Sequence, residues 1–242
     1  MKLTILGSAT PFPRRDSPCS GYLLSDNEST ILLDCGSGVF AALLECVDPN
    51  ELSGVWISHL HPDHFADLPA LANWAMNTPN AKKISILGPE GWDLRMNYFL
   101  SGEADSDVCS SLFTIGHISD GQITKLGGFN VHSRAVHHSV TAFGVRITRA
   151  DKSFAYSGDT GPCDALKDLA SEADLFLCEA GAESHSEYHL TPQQAYDTAI
   201  GADARALILT HIPGRPVGFQ YPWPDSIPVR LAEPGLQQVI GE

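Results

Sequence analysis

Residues 59–64 read His59-Leu60-His61-Pro62-Asp63-His64 and follow directly on the apolar run Val55-Trp56-Ile57-Ser58. Such a run is expected as a buried strand, so three imidazoles and a carboxylate leave its end within six positions. Imidazole and carboxylate are preferred ligands of zinc and comparable divalent ions. One tetrahedral ion cannot easily take all four from so short a stretch. His59 and His61 point the same way if the chain is locally extended, whereas Asp63 and His64 point elsewhere. The spacing therefore predicts two adjacent ions, an arrangement suited to hydrolysis. A His-rich surface loop would supply neither the internal Asp63 nor the apolar strand in front of it.

Further ligand-type residues close other apolar β-runs. His137-His138 follows Ala135-Val136, Asp159 follows residues 154–158, and His211 follows Leu207-Ile208-Leu209-Thr210. Each alone reads as a hydrogen-bonded structural residue or, for Asp159 in Ser157-Gly158-Asp159-Thr160-Gly161, as a turn aspartate. Alongside the 59–64 cluster they predict one shared metal site, gathered where strand ends converge.

The charge pattern narrows the substrate. The chain has 242 residues, with 15 Lys+Arg against 29 Asp+Glu, for a net charge of −14. A long polyanion needs a basic patch to release counterions. Here the basic residues are scattered, and the only adjacent pairs are Arg14-Arg15 and Lys82-Lys83. A small anionic substrate held by the ions fits better than a long nucleic acid. The length predicts a single hydrolase domain over residues 1–242. No apolar stretch approaches the roughly 18–20 residues of a membrane span. Lys2-Leu3-Thr4-Ile5-Leu6-Gly7 reads as a first strand rather than a signal peptide, because Gly7, Ser8 and Pro11 interrupt it. None of the six cysteines is spaced as CxxC, so free buried thiols and a cytoplasmic location are expected.

Short β-runs are predicted at 2–7, 20–25, 30–34, 54–58, 84–87, 122–126, 129–135, 142–148, 153–157, 174–178, 205–210 and 236–240. Helical patterns cover 38–47 and 66–77, with further helices within 90–101 and 163–172. The clearest helix start is Thr191-Pro192-Gln193-Gln194. Thr191 suits the N-cap, Pro192 the first helical position, and Gln194 completes a capping box. Hairpins are expected to dominate the first half and strand–helix–strand units the second, giving two sheets covered by helices. The Pro-rich segment 212–228 carries Phe219, Tyr221 and Trp223. It is expected either to border the pocket, where a nucleobase could stack, or to form a homodimer contact, or to pack on its own surface.

Taken together these residues resemble the metallo-β-lactamase fold superfamily. The matches are Asp34 in Leu32-Leu33-Asp34-Cys35-Gly36, the 59–64 cluster, His138, Asp159 and His211, in the family's order. Within it the chain is similar to the ribonuclease Z branch and its shorter relatives, which include small cyclic-nucleotide phosphodiesterases. That closer likeness rests on Gly7-Ser8-Ala9, residues 138–144, residues 156–160, Cys178-Glu179-Ala180 and His189-Leu190-Thr191. The resemblance implies an α/β (α+β) fold, a four-layer αββα sandwich. It implies one ion on His59, His61 and His138, a second on Asp63, His64 and His211, and Asp159 bridging them. Zinc is the expected ion, with manganese or iron also suited to Asp63 and Asp159. Asp34 is expected behind a ligand imidazole, accepting its N–H. Asp67 could do the same, or be a solvated acid in the first turn of a helix.

Asp63, His189 and Glu179 are the residues expected to serve catalysis. In ribonuclease Z relatives the residue matching His189 pairs with one matching Glu179, and such a pair would protonate a leaving alkoxide. The chain also departs from that branch. The branch carries a long tRNA-gripping arm between the positions matching His138 and Asp159, which here lie 21 residues apart. Cys178 stands where the branch usually has His, and Leu190 where it usually has Ser. After His211 comes Ile212-Pro213-Gly214-Arg215 instead of a polar stretch. The function expected is therefore a dinuclear-metal phosphodiesterase acting on a small phosphodiester such as a cyclic nucleotide. The alternatives are an ester, thioester, lactone or sulfate-ester hydrolase of the same fold, ribonuclease Z-like RNA processing, and a metal-binding sensor without turnover.

Overall fold

The computed structural model describes residues 1–214, 223 and 226–241. Its first sheet places β1 (Lys2–Gly7), β2 (Gly21–Ser25), β3 (Thr30–Leu33), β4 (Leu52–Trp56), β5 (Ile84–Gly88) and β6 (Phe113–His117) side by side in chain order. The second does the same with β7 (Ile123–Leu126), β8 (Phe129–Val136), β9 (Ala142–Arg149), β10 (Lys152–Tyr156), β11 (Leu175–Glu179), β12 (Leu207–Thr210) and β13 (Val229–Leu231). The last described strand, β14 (Gln237–Val239), returns to pair with β1.

Period-two alternation sorts the apolar side chains into layers. Leu3 and Ile5 of β1, Tyr22 and Leu24 of β2, Trp56 of β4, Tyr156 of β10 and Leu175 and Leu177 of β11 fill the space between the sheets. The intervening residues turn outward. Leu23, Leu32 and Val55 meet the helices α1 (Val39–Leu44), α3 (Leu68–Asn77), α4 (Trp92–Ser101) and α5 (Val108–Leu112), with the short turn α2 (Pro62–Phe65) beside them. Phe176, Cys178, Leu207 and Leu209 meet α6 (Ala165–Ala170) and α7 (Pro192–Gly201). This is the four-layer αββα sandwich expected.

The division into a hairpin half and a strand–helix–strand half does not hold. β1–β2–β3 pair antiparallel and β3–β4–β5–β6 parallel. β8–β9–β10 and β10–β11–β12–β13 repeat that order in the second sheet. Each parallel step needs a crossover, and helices supply most of them, so both element types occur in both halves. β6, α5 and β13 were not expected, since each is short and weakly patterned. The capping box at α7 is present: Thr191 Oγ1 accepts from Gln194 N at 3.2 Å, and Gln194 Oε1 from Thr191 N at 2.9 Å. All six cysteines are free, but Cys46 is exposed and Cys163 half-buried rather than buried. Among the described residues no helix is long and apolar enough to cross a membrane.

Phe219 and Tyr221 lie outside the described residues. Trp223 stacks on Tyr196 of α7 with ring centroids 4.7 Å apart and donates from Nε1 to Gln193 Oε1 at 2.8 Å.

Candidate metal centre

The ligand-type residues singled out in the sequence follow strand ends, except that Asp63 and His64 stand in the short α2 turn after β4, and both sheets contribute. The chain leaves β4 through Ile57 and Ser58, presents buried His59, and turns into α2 with Pro62 at the first helical position. Arg95 of α4 holds this turn from outside, donating from Nη1 to the Leu60 carbonyl at 2.9 Å. The α2 turn lies so close to the loop after β3 that a Cβ on Gly36 would stand 1.9 Å from the Asp63 carbonyl, so only glycine fits there. Asp34 and His211 both sit at φ 57, the left-handed region that non-glycine residues seldom enter. Backbone strain of this kind is tolerated where the surroundings over-determine it.

Two groups of ligand atoms result. In one, His61 Nδ1 lies 3.1 Å from His59 Nε2 and 3.2 Å from His138 Nε2. In the other, Asp159 Oδ1 lies 3.2 Å from His64 Nε2, and Asp159 Oδ2 lies 3.1 Å from His211 Nε2. Asp63 Oδ2 joins this second group at 3.3 Å from His211 Nε2. Asp159 also leans toward the first, its Oδ2 being 3.8 Å from His59 Nε2.

Supporting bonds decide which ring nitrogens face inward. His138 Nδ1 donates to the Tyr188 carbonyl at 3.1 Å, which leaves Nε2 as the bare nitrogen. His64 Nδ1 lies 2.7 Å from Asp34 Oδ2. Asp34 also accepts from Ser58 N at 2.7 Å, Ser58 Oγ at 2.8 Å and Tyr156 Oη at 2.8 Å, so its position behind His64 is fixed. Asp67 plays no such part: its carboxylate accepts from Phe40 N at 3.0 Å and holds the start of α1.

Beside the second group stands His189. Its Nδ1 donates to Glu179 Oε1 at 2.9 Å, and its ring stacks on His211 at 5.3 Å between centroids. Glu179 is fully buried and also accepts from Thr160 N at 3.0 Å and Gly181 N at 2.8 Å. The His189 side chain remains 32% exposed, so a substrate can reach it.

A profile of the beta-lactamase superfamily domain matches residues 29–212, most of the chain and all of these ligand-type residues. The chain belongs to the beta-lactamase superfamily. This superfamily member is 40% identical over 225 residues to the uncharacterized protein ML1173 of Mycobacterium leprae, covering 88% of this chain and 78% of that one. It is 30% identical over 223 residues to the probable metallo-hydrolase YhfI of Bacillus subtilis, covering 88% and 87%. The crystal structure of the metallo-beta-lactamase fold protein YhfI superposes with a TM-score of 0.84 at 25% identity, over 98% of this chain and 99% of that one. Ribonuclease Z of Bacillus licheniformis is 28% identical over 279 residues, covering 89% of each. Fold and His/Asp clusters together are those of a metallo-hydrolase of the superfamily.

The donor set of this beta-lactamase superfamily chain fits divalent ions. Ligands about 2.0–2.1 Å from a tetrahedral zinc lie roughly 3.3 Å from one another, close to the spacings within both groups. His64 Nε2 and Asp159 Oδ1 are buried and make no hydrogen bond, although 3.2 Å apart. Buried polar atoms without partners are costly, and a cation between them would satisfy both.

Electrostatics separates the two groups. Burial holds the His59 pKa well below the ordinary histidine value, and it lowers those of His61 and His138 too, so these rings are neutral with bare nitrogens. In the second group burial acts the same way, but the carboxylates outweigh it. Asp159 lifts His211 from 6.5 to about 9, and Asp159 with Asp34 holds His64 well above 6.5. His189 is raised chiefly by its hydrogen bond to Glu179.

Sequence reasoning missed four contributors. Thr10 donates to Asp63 Oδ2 at 3.1 Å, Ser58 and Tyr156 anchor Asp34, and Tyr188 lends its carbonyl to His138. Thr10 directly follows the Gly7-Ser8-Ala9 stretch, which was its one signal. Cys178 faces the helix layer, away from the ligands, so the cysteine in that position leaves the centre unaltered.

Proposed function

We propose that the chain is a dinuclear-metal phosphodiesterase acting on a small phosphodiester, with a cyclic nucleotide as the leading substrate. His59, His61 and His138 hold one ion; Asp63, His64 and His211 hold the other; Asp159 serves both. Zinc is favoured by the predominance of imidazole, and the two aspartates also suit manganese or iron. Such a pair of ions, when bound, supplies a nucleophile from water at neutral pH and offsets charge on the phosphoryl group.

The observation that carries the reading is the His189–Glu179 pair beside the second group. A phosphodiester leaving as an alkoxide needs a proton, and His189 is placed to give it. Glu179, fixed by two backbone N–H groups, orients the ring and favours its protonated form. Ester, thioester, lactone or sulfate-ester hydrolysis would use the same ligands, but a positioned acid suits the bond with the poorer leaving group. Against RNA processing stand the charge of −14 and the short turn at Ala150–Asp151 that joins β9 to β10. The test is a panel of cyclic and linear phosphodiesters, with carboxylic and sulfate esters alongside, assayed with the protein in zinc and in manganese. Turnover of the other esters without any phosphodiester turnover would sink the proposal.

Ion binding should release protons. At pH 7 the His211 ring of the metal-free chain is protonated, because its pKa is about 9. An ion must expel that proton. Calorimetry in buffers of different ionisation enthalpy should show release at pH 7 that declines as pH passes 9. The sign for stability follows from the same shift. Folding raises this pKa from 6.5, so the stabilisation is complete below 6.5 and lost as pH rises through about 9. Metal-free protein should therefore melt at a lower temperature at pH 9.5 than at pH 6.

Asp34→Asn keeps the size and the tolerance of positive φ but weakens the acceptor behind His64. Affinity for the second ion should fall by about 10- to 100-fold. Competition with a chromophoric chelator measures this, and unchanged affinity would show that His64 needs no such support.

A further inference from the structure

A polar cavity of about 270 Å³ adjoins the metal centre, and His211 belongs to both. Arg14, Asp16 and Glu233 also line it, together with Thr210 and Leu231. Arg14 opens a tight turn closed by backbone bonds to Ser17 in both directions, at 2.8 and 3.2 Å. Arg14 is half-buried and Asp16 and Glu233 are exposed at the cavity's rim; the Arg14 guanidinium makes no hydrogen bond or ion pair with any described residue. The carboxylates of Asp16 and Glu233 likewise make none among the described residues. Three charges thus line one small space without neutralising one another, in a chain whose net charge of −14 offers a guanidinium many partners.

A ligand complementary to this lining carries both hydrogen-bond acceptors and donors. A planar guanidinium suits adjacent acceptors, such as the ring nitrogen and carbonyl of a base edge. The carboxylates suit amino, ring N–H or hydroxyl donors. A second phosphate would meet two carboxylates and is disfavoured. The volume of about 270 Å³ lies just below the usual range for small-molecule sites, room for one nucleoside but not an oligonucleotide. We infer that this cavity seats the nucleoside of the substrate, with Arg14 donating to acceptors on the base and Asp16 and Glu233 accepting from its N–H and O–H donors. The inference rests on the phosphodiesterase reading and narrows its substrates to nucleotides.

The probes are guanosine and adenosine, which lack the phosphate that bound ions would hold. Calorimetric titration into the metal-loaded protein should show at least one of them binding. Arg14→Ala should weaken that binding by about 10- to 100-fold, and Glu233→Gln should weaken it independently, with thermal melts confirming that both variants are folded. The preference for a cyclic nucleotide over bis(p-nitrophenyl) phosphate, read as a ratio of kcat/KM, should fall about tenfold in Arg14→Ala. If neither nucleoside binds the unaltered protein, or if both variants bind as tightly as it does, the assignment is overturned. Nucleoside binding needs no turnover. A protein that binds nucleosides through Arg14 but hydrolyses no phosphodiester would refute the catalytic proposal and leave the cavity assignment standing.

Discussion

His189→Ala should slow hydrolysis of a phosphodiester with an alkyl leaving group by about 10²- to 10⁴-fold, the range of a positioned general acid. The same change should cost far less on bis(p-nitrophenyl) phosphate, because p-nitrophenolate departs without a proton. His189→Gln keeps some stacking on His211 but cannot shuttle a proton, so it should resemble the alanine variant. Glu179→Gln removes the charge that raises the His189 pKa, so the alkaline limb of the rate–pH profile, where the acid loses its proton, should move to lower pH. The sign is fixed by the lost carboxylate: with less stabilisation, the imidazolium gives up its proton earlier. Equal losses on both leaving groups would assign His189 to structure alone. Glu179 also accepts two backbone N–H groups, so its variant must first be shown to fold.

Asp159→Asn should have the larger effect on metal content. Asp159 touches the second group through both oxygens and reaches His59 of the first. The substitution keeps the shape and removes the one carboxylate common to both groups. Affinity for the second ion should drop by more than the roughly 100-fold expected from losing a supporting contact, and phosphodiester turnover should fall to background. Without that charge the His211 pKa should also come down from about 9, so the variant should release fewer protons on binding what metal it still takes. Elemental analysis of protein dialysed against buffered zinc measures the outcome. A full complement of two ions per chain would remove Asp159 from the ligand set.

Much of the candidate centre was legible because ligand-type residues interrupt otherwise apolar strand ends. His59, His61, Asp63 and His64 announce themselves by density, whereas His138, Asp159 and His211 do so only as a set. The capping box at Thr191 was legible because both its bonds are local. What stayed hidden depends on sheet packing. Tyr156 reads as one more aromatic in a strand, yet its hydroxyl bonds Asp34 across 122 positions of sequence. Asp67 has the spacing of a supporting carboxylate, but the path of α1 puts the Phe40 N–H within its reach instead. The repeated strand order of the two sheets left no sequence trace, since pairing direction is set by the crossovers and not by the side chains that alternate along a strand.

That repetition divides the centre evenly. Asp34, His59, His61, Asp63 and His64 come from the segment up to β6, and His138, Asp159, Glu179, His189 and His211 from the segment after it. Neither fragment of a chain cut in the connection at 118–122 would carry a complete coordination sphere. Ions would act as mortar between the fragments, and their reassembly would report metal occupancy without any substrate being turned over.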